Sequence, residues 1–178
     1  MSMESTWLLR VDQAERRLCL LANGAARRRA VRTLFRVVSR LGDGVLWYAL
    51  LGAMPLFMGP SGWRYAAQML LTGALGLALY KLLKRKLVRE RPFISLFGIE
   101  CEMPPLDRYS FPSGHTLHAV LFTSMAVTQV PALAIVLVPF AFLVALSRVV
   151  LGLHYPTDVL VGAALGFGLA SLSNLPLS

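Results

Sequence analysis

The chain has 178 residues, of which 56% are hydrophobic, with a formal net charge of +9 and a mean hydropathy of +0.62. This composition is typical of a membrane protein and indicates a single domain over residues 1–178. The apolar bulk argues against nucleic acid as the partner of the basic charge and favours anionic lipid, and two cysteines are too few for a disulfide framework.

The charges are distributed unevenly along the chain. Nine of the 18 lysines and arginines precede residue 41, and six more lie between Lys81 and Arg91. From Tyr109 to the end, only Arg148 and Asp158 carry a formal charge. Because a charge inside an apolar helical bundle is costly, we expect these two residues to serve the function.

Residues 1–40 are predicted to form an amphipathic segment that lies at the membrane interface. Residues 6–22 have apolar side chains, including Trp7, three and four positions apart, and are too charged to span a membrane. A second basic helix follows, with Arg32, Arg36 and Arg40 on one face. These arginines either meet lipid headgroups or face water.

Residues 41–178 are predicted to form the transmembrane bundle. Apolar stretches indicate five spanning helices, at residues 41–59, 63–83, 115–130, 132–150 and 156–173. Gly162, Gly166 and Ala170 share one face of the last helix, which favours close helix packing. No segment alternates like a strand, so the predicted fold class is an all-α polytopic membrane helix bundle.

With five spans, three polar segments emerge on the same membrane face. They are the end of the second span (Lys84–Arg91), the start of the third (Ser113–His115), and the turn between the fourth and fifth (Arg148–Asp158). We therefore expect the three segments to meet at one depth.

The first segment carries a pair of cations seven residues apart. The helix is predicted to continue to Pro92, so Lys84 and Arg91 lie on one face, two turns apart, and both side chains suit phosphate oxygens. Snorkelling at a helix end is sufficient to explain the other cations of this segment, Lys81, Arg85, Lys86 and Arg89.

The second segment opens a helix. Ser113 and Gly114 leave backbone N–H groups free at the positive end of the helix dipole, which is a typical phosphate site. His115 stands beside it and can exchange a proton near neutral pH. Alone, Pro-Ser-Gly-His is also typical of an ordinary helix cap.

The third segment places Asp158 in the first turn of a helix that Pro156 opens, where its carboxylate can reach back toward His154. Such a carboxylate fixes the imidazole tautomer and leaves the other ring nitrogen free to attack. A purely structural ion pair between Arg148 and Asp158 is the alternative.

Taken together, Lys84-x6-Arg91-Pro92, Pro112-Ser-Gly-His115 and Ser147-Arg148-x5-His154-x3-Asp158 resemble the three signatures of the type 2 phosphatidic acid phosphatase family. Most membrane enzymes of that family are described with six spans, whereas five are expected here, as in its shorter bacterial members.

The resemblance implies hydrolysis of a lipid phosphate or pyrophosphate without a metal or other cofactor. In this reading His154, oriented by Asp158, is the nucleophile that forms a phosphohistidine, and His115 protonates the leaving group. The remaining matched residues would bind the phosphate oxygens: Lys84, Arg91, Ser113, Gly114 and Arg148. The implied substrates include phosphatidic acid, phosphatidylglycerol phosphate and undecaprenyl pyrophosphate.

Two other functions stay open at this stage: a lipid phosphotransferase that uses the same residues, and a non-catalytic membrane adaptor. We expect the bacterial inner membrane as the location. The N-terminal arginines favour a cytoplasmic site by the positive-inside rule, whereas the resemblance favours the extracytoplasmic face, which we adopt as the expectation. The oligomeric state is left open.

Overall fold

The computed structural model describes residues 3–174, with side chains from residue 10 onward, so the predicted interfacial contact of Trp7 lies outside the described side chains. This part of the chain is helical and contains no strand, which confirms the all-α prediction. The helices are α1 (Met3–Ala25), α2 (Arg29–Arg40), α3 (Leu46–Met58), α4 (Pro60–Lys86), α5 (Pro92–Ser95), α6 (Gly114–Gln129), α7 (Ala134–Val150) and α8 (Pro156–Ser173).

Helices α2 and α3 form one long run, joined by a π-helical segment at Leu41–Val45. Asp43 and Gly44 interrupt the helical backbone there, and Gly44 has a φ of 120°. The first candidate span is therefore Arg29–Met58, which begins inside the stretch predicted to be interfacial rather than at residue 41.

Four stretches of the described chain are long and apolar enough to cross a membrane: Arg29–Met58, Pro60–Lys86, Pro131–Val150 and Pro156–Ser173. The remaining predicted span, residues 115–130, corresponds to α6, which has 16 residues and a length of about 24 Å at 1.5 Å per residue. Helix α6 lies at the centre of the bundle, packed against α4, α7 and α8.

Helices α6 and α8 pack closely because α8 presents glycines to its neighbour. A Cβ atom at Gly162 would lie 2.5 Å from the carbonyl oxygen of Ser113, and one at Gly166 would overlap the carbonyl of Leu117. The small-residue face predicted on α8 is thus the contact with α6, and Ala170 on the same face is buried as well.

Helix α1 packs on α7 and α8. Glu15 and Cys19 are buried on its inner side, and the Asn23 side chain donates to the carbonyls of Glu100 (3.0 Å) and Val150 (3.1 Å). These contacts fix α1 to the face of the bundle where α7 ends and α8 begins.

The chain between α4 and α6 is mostly irregular and corrects one expectation. Helix α4 ends at Lys86, and Arg91 has an extended backbone (φ −78°, ψ 152°), so Lys84 and Arg91 do not share a helix face. Pro92 accounts for the extended backbone of Arg91, since the residue before a proline avoids the helical conformation. Arg91 nevertheless returns to Lys84 through the loop, as described below.

Candidate active site

A cavity of about 320 Å³ opens where α4, α6 and α7 meet the loops. Six of the eight residues predicted for the site line it: Lys84, Arg91, Gly114, His115, Arg148 and His154. Ser113 and Asp158 are fully buried behind this wall. The three polar segments therefore meet around one cavity, as their positions in the sequence predicted.

Lys84 and Arg91 converge on a carboxylate that the sequence analysis did not single out. Lys84 Nζ lies 2.7 and 2.8 Å from the two carboxylate oxygens of Asp107, and Arg91 Nη2 lies 2.7 Å from Oδ1. Burial alone would raise the pKa of the Asp107 carboxyl, but its bonds to Lys84 and Arg91 outweigh burial and lower this pKa below its usual value. Asp107 is therefore ionised at neutral pH and occupies part of the cationic surface.

Arg148 is 2% exposed, and its guanidinium donates to the hydroxyl of Ser39 on α2. Within the described chain, its Nε has no hydrogen-bond partner. Asp158 makes its ion pair with Arg89 instead, so the structural Arg148–Asp158 pair considered above is not formed. A buried guanidinium that is not fully paired is costly and is a feature of functional sites.

The N-terminus of α6 is capped by Ser113, whose hydroxyl oxygen accepts the Thr116 N–H at 3.5 Å and lies 2.9 Å from the Thr116 hydroxyl. The Ser113 N–H donates to the Asp158 carbonyl at 3.0 Å, so neither polar group of Ser113 faces the cavity. The next two N–H groups, at Gly114 and His115, are the ones without an intrahelical acceptor. The sequence pattern identified this helix start correctly but could not assign its individual donors.

The imidazole of His115 lies beside a second unexpected carboxylate. Its Nε2 is 3.2 Å from Oδ1 of Asp43, although the N–H direction is not aligned for a hydrogen bond. His118, one turn further along α6, is within hydrogen-bond distance of the carbonyls of Gly114 (2.9 Å) and Gly73 (3.2 Å). These contacts hold the His118 ring between α4 and the first turn of α6.

His154 and Asp158 are neighbours, as the sequence predicted, but within the described chain Nδ1 of His154 makes no hydrogen bond. His154 Nδ1 lies 3.6 Å from Asp158 Oδ2, and its Nε2 lies 3.3 Å from Arg91 Nη1. Because Arg91 is a donor, Nε2 faces it as an acceptor, which places the proton on Nδ1, toward Asp158. Burial, reinforced by the positive charges of Arg148 and Arg91, lowers the pKa of His154 well below its ordinary value.

Asp158 is fully buried and uses both carboxylate oxygens. Oδ2 accepts the Tyr155 N–H at 2.8 Å, which caps α8, and Oδ1 lies 2.8 Å from Nη1 of Arg89. Arg89 was expected to be a snorkelling cation, and this expectation was wrong. Arg89 also pairs with Glu15 of α1 at 2.7 Å.

Four residues near the site were thus missed from sequence: Asp43, Asp107, Arg89 and Glu15. A signal was present only for Asp43, which is a carboxylate between two glycines in an otherwise apolar span. Asp107 lies in an irregular loop, and Glu15 looks like the other charges of an amphipathic helix.

Residues 62–175 match the family model of the PAP2 superfamily, so the chain belongs to that superfamily. A curated relative, decaprenylphosphoryl-5-phosphoribose phosphatase of Mycobacterium tuberculosis, is 40% identical over 138 residues, which cover 74% of this chain and 72% of the relative. Lipid A 1-phosphatase of Rhizobium etli is 28% identical over 158 residues, covering 77% and 67% of the two chains.

Two crystal structures share the fold. LpxE of Aquifex aeolicus superposes with a TM-score of 0.76 at 28% identity, covering 88% of this chain and 92% of that one. A transmembrane PAP2-type phosphatidylglycerolphosphate phosphatase of Bacillus subtilis gives a TM-score of 0.74 at 28% identity, covering 92% and 84%. The protein is accordingly an integral membrane protein and a lipid phosphatase.

Proposed function

We propose that this protein hydrolyses a phosphate monoester or pyrophosphate on a membrane lipid through a phosphohistidine at His154. Nε2 of His154 attacks phosphorus, and the bond from phosphorus to the leaving oxygen breaks. His115 donates the proton that the leaving alcohol or phosphate requires. Asp158 stabilises the positive charge that develops on the His154 ring.

In the second step, a water molecule attacks the phosphohistidine and releases inorganic phosphate. His115, now neutral, takes the proton of that water by microscopic reversibility. Lys84, Arg91, Arg148 and the N–H groups at the start of α6 hold the phosphoryl oxygens through both steps. These groups supply the positive charge, so we propose that no metal is needed.

The main support for this proposal is that the cavity is polar at one end and apolar at the other. One end holds the three cations with His115 and His154, whereas the other is lined by apolar side chains of α3, α4 and α6, including Leu51, Leu77 and Phe122. A substrate with a phosphate headgroup and an apolar chain fits both ends, with the chain remaining among the helices.

The relatives named above suggest which lipids to test. Their names give decaprenylphosphoryl-5-phosphoribose, lipid A 1-phosphate and phosphatidylglycerol phosphate, and the sequence pattern adds phosphatidic acid and undecaprenyl pyrophosphate. All present a terminal phosphate on a membrane-embedded apolar anchor, and we propose that the substrate belongs to this class.

The test is phosphate release by the detergent-purified protein in the presence of EDTA, with these lipids as substrates and His154→Ala as the control. Release that is lost in the variant supports the proposal, and acid-labile labelling of His154 from a ³²P-labelled lipid identifies the intermediate. Release that persists in the variant contradicts it. Transfer of the label to an added lipid alcohol instead of water would favour a phosphotransferase.

We further propose that the site faces the extracytoplasmic side of a bacterial inner membrane. The two native cysteines allow a direct test, because Cys101 is exposed in the loop between α5 and α6 whereas Cys19 is buried. Burial, together with the charges of Glu15 and Asp158, raises the pKa of Cys19 to about 12, so this thiol is unreactive. Labelling of intact cells by an impermeant maleimide, absent in Cys101→Ser, supports the proposal; labelling only after lysis overturns it.

A further inference from the structure

The carboxylate of Glu15 is an unusual feature of the amphipathic helix α1. Glu15 is only 7% exposed and lies outside residues 62–175, the stretch that matches the family model. One oxygen, Oε2, lies 2.7 Å from Nη2 of Arg89. The other, Oε1, accepts the Thr157 N–H at 2.9 Å and the Thr157 hydroxyl at 2.6 Å. Glu15 therefore contacts the first turn of α8 directly.

Arg89 connects this carboxylate to the active site. Its second terminal nitrogen, Nη1, lies 2.8 Å from Oδ1 of Asp158 and 2.8 Å from the Thr157 hydroxyl. The guanidinium carbon also lies 3.8 Å from the centroid of the Tyr155 ring. A planar guanidinium with two carboxylates and an aromatic ring around it is held in one orientation.

We infer that Glu15 and Arg89 are positioning residues for the His154–Asp158 pair, and that α1 is through them a part of the catalytic centre. The chain of contacts runs from Glu15 to Arg89, from Arg89 to Asp158, and from Asp158 to His154 Nδ1. The inference rests on the proposed function, since it assumes that His154 is the nucleophile.

The electrostatics explain why this chain of contacts is sensitive. Asp158 is fully buried, so its charge requires a partner, and Arg89 is the cation that pairs with it. Without the charge of Glu15, Arg89 keeps one carboxylate instead of two, and the Thr157 N–H loses a charged acceptor. The first turn of α8, which carries Asp158, is then free to shift, and a shift of about 1 Å costs about a hundredfold in rate.

The substrate should be bound as before, because neither Glu15 nor Arg89 lines the cavity. The effect is therefore expected on kcat, with KM nearly unchanged. The loss in kcat should be the same for alkyl and aryl phosphates, because Asp158 acts on the nucleophile and not on the leaving group.

The test compares Glu15→Gln with Asp12→Asn, a matched control on the same helix. Asp12 pairs with Arg16 at 2.9 Å, and both side chains are about half exposed, so this change removes an equal charge from α1 without touching α8. We expect Glu15→Gln to lower kcat by about a hundredfold and Asp12→Asn to leave it unchanged. Glu15→Asp, which keeps the carboxylate, should retain more activity than Glu15→Gln.

Two further measurements separate positioning from loss of folding. The double variant Glu15→Gln/Asp158→Asn should be no slower than Asp158→Asn alone, because Glu15 acts through Asp158. In addition, the chain has only three histidines, so the ¹⁵N NMR signals of His154 can be assigned by their loss in His154→Ala. They should move in Glu15→Gln and Arg89→Lys but not in Asp12→Asn.

Additive losses in the double variant, equal losses in Glu15→Gln and Asp12→Asn, or His154 signals that stay in place would overturn the inference. The NMR arm does not depend on turnover. If the wild-type protein releases no phosphate from any lipid, the proposed function fails, and the His154 signals still decide whether Glu15 positions this ring.

Discussion

Oδ1 of Asp43 lies 3.2 Å from Nε2 of His115, at the point where the first membrane-spanning run is broken. The break depends on Gly44, whose φ of 120° is a conformation that other residues rarely adopt. A carboxylate in a spanning helix is costly unless it serves a partner, and π-helical breaks are frequent at functional sites. The irregular segment thus brings a negative charge to the imidazole that we propose as the general acid.

We expect Asp43→Asn to slow the cleavage of alkyl phosphates selectively. A carboxylate at this distance stabilises the charge of the ring when His115 carries the proton for the leaving oxygen, and general acids contribute about 10²–10⁴ in rate. A loss of about tenfold in kcat/KM is expected for a lipid phosphate, because His115 itself remains. The kcat/KM for p-nitrophenyl phosphate, whose leaving group needs no proton, should change little. Equal losses for both substrates would show that Asp43 does not act through His115.

Asp107 is a competitor for the phosphate in the site, and we expect its removal to strengthen product inhibition. Its carboxylate binds Lys84 and Arg91, two of the three cations that a phosphate would use. In Asp107→Asn, inorganic phosphate should inhibit about tenfold more strongly, which corresponds to about 1.4 kcal/mol. The measurement is the inhibition constant of phosphate at pH 7.

Glu102→Gln is the matched control for this change. Glu102 lies in the same loop and also binds a cation, but it is buried and pairs with Arg36 at 3.1 Å, away from the cavity. Glu102→Gln should leave the inhibition constant of phosphate unchanged. Weaker inhibition in Asp107→Asn would mean that the carboxylate holds the two cations in place for substrate instead of competing with it.

The sequence predicted the helices and the meeting of the three motifs because both follow from local patterns. Apolar stretches of sufficient length define the spans, and the motifs lie at their ends, so helix order alone brings Lys84, His115 and His154 to one face. The first span was placed too late in the chain, since its N-terminal half, α2, carries arginines on one side. Two of these arginines pair with Glu102, at 3.7 Å from Arg32 and 3.1 Å from Arg36.

The roles of Glu15 and Asp107 could not be predicted because their partners are distant in sequence. Glu15 and Thr157 are separated by 142 positions, and Lys84 and Asp107 by 23 positions that include the irregular loop. No periodicity or spacing links such pairs. Arg89 was misread for the same reason, since a cation just beyond a spanning helix is usually a snorkelling side chain.

The pKa of His154 gives a prediction that can be checked without a substrate. Burial and the nearby charges of Arg148 and Arg91 lower this pKa, so the neutral imidazole persists at a pH where an ordinary histidine, with a pKa of about 6.5, is half protonated. ¹⁵N NMR of the purified protein should show His154 still neutral at about pH 6. Because the unfolded chain takes up this proton and the folded chain does not, stability should fall as the pH drops below about 6.5. Protonation of His154 near its ordinary pKa would contradict the buried environment.

The close contact of α6 and α8 predicts that Gly162→Ala damages both stability and turnover. The added Cβ would lie 2.5 Å from the carbonyl oxygen of Ser113, whose N–H donates to the carbonyl of Asp158 at 3.0 Å. Helix α8 must therefore move away from the start of α6, and Asp158 moves with it. Overpacking of this kind costs about 1–3 kcal/mol, which a lower thermal unfolding midpoint in detergent would report, together with a lower kcat.

Gly168→Ala is the control on the same helix, because a Cβ at Gly168 has nothing within 4 Å. This control should be as stable as the wild type or more so, since alanine favours a helix by about 1 kcal/mol over glycine, and equal behaviour of the two variants would exclude a tight α6–α8 contact at the site.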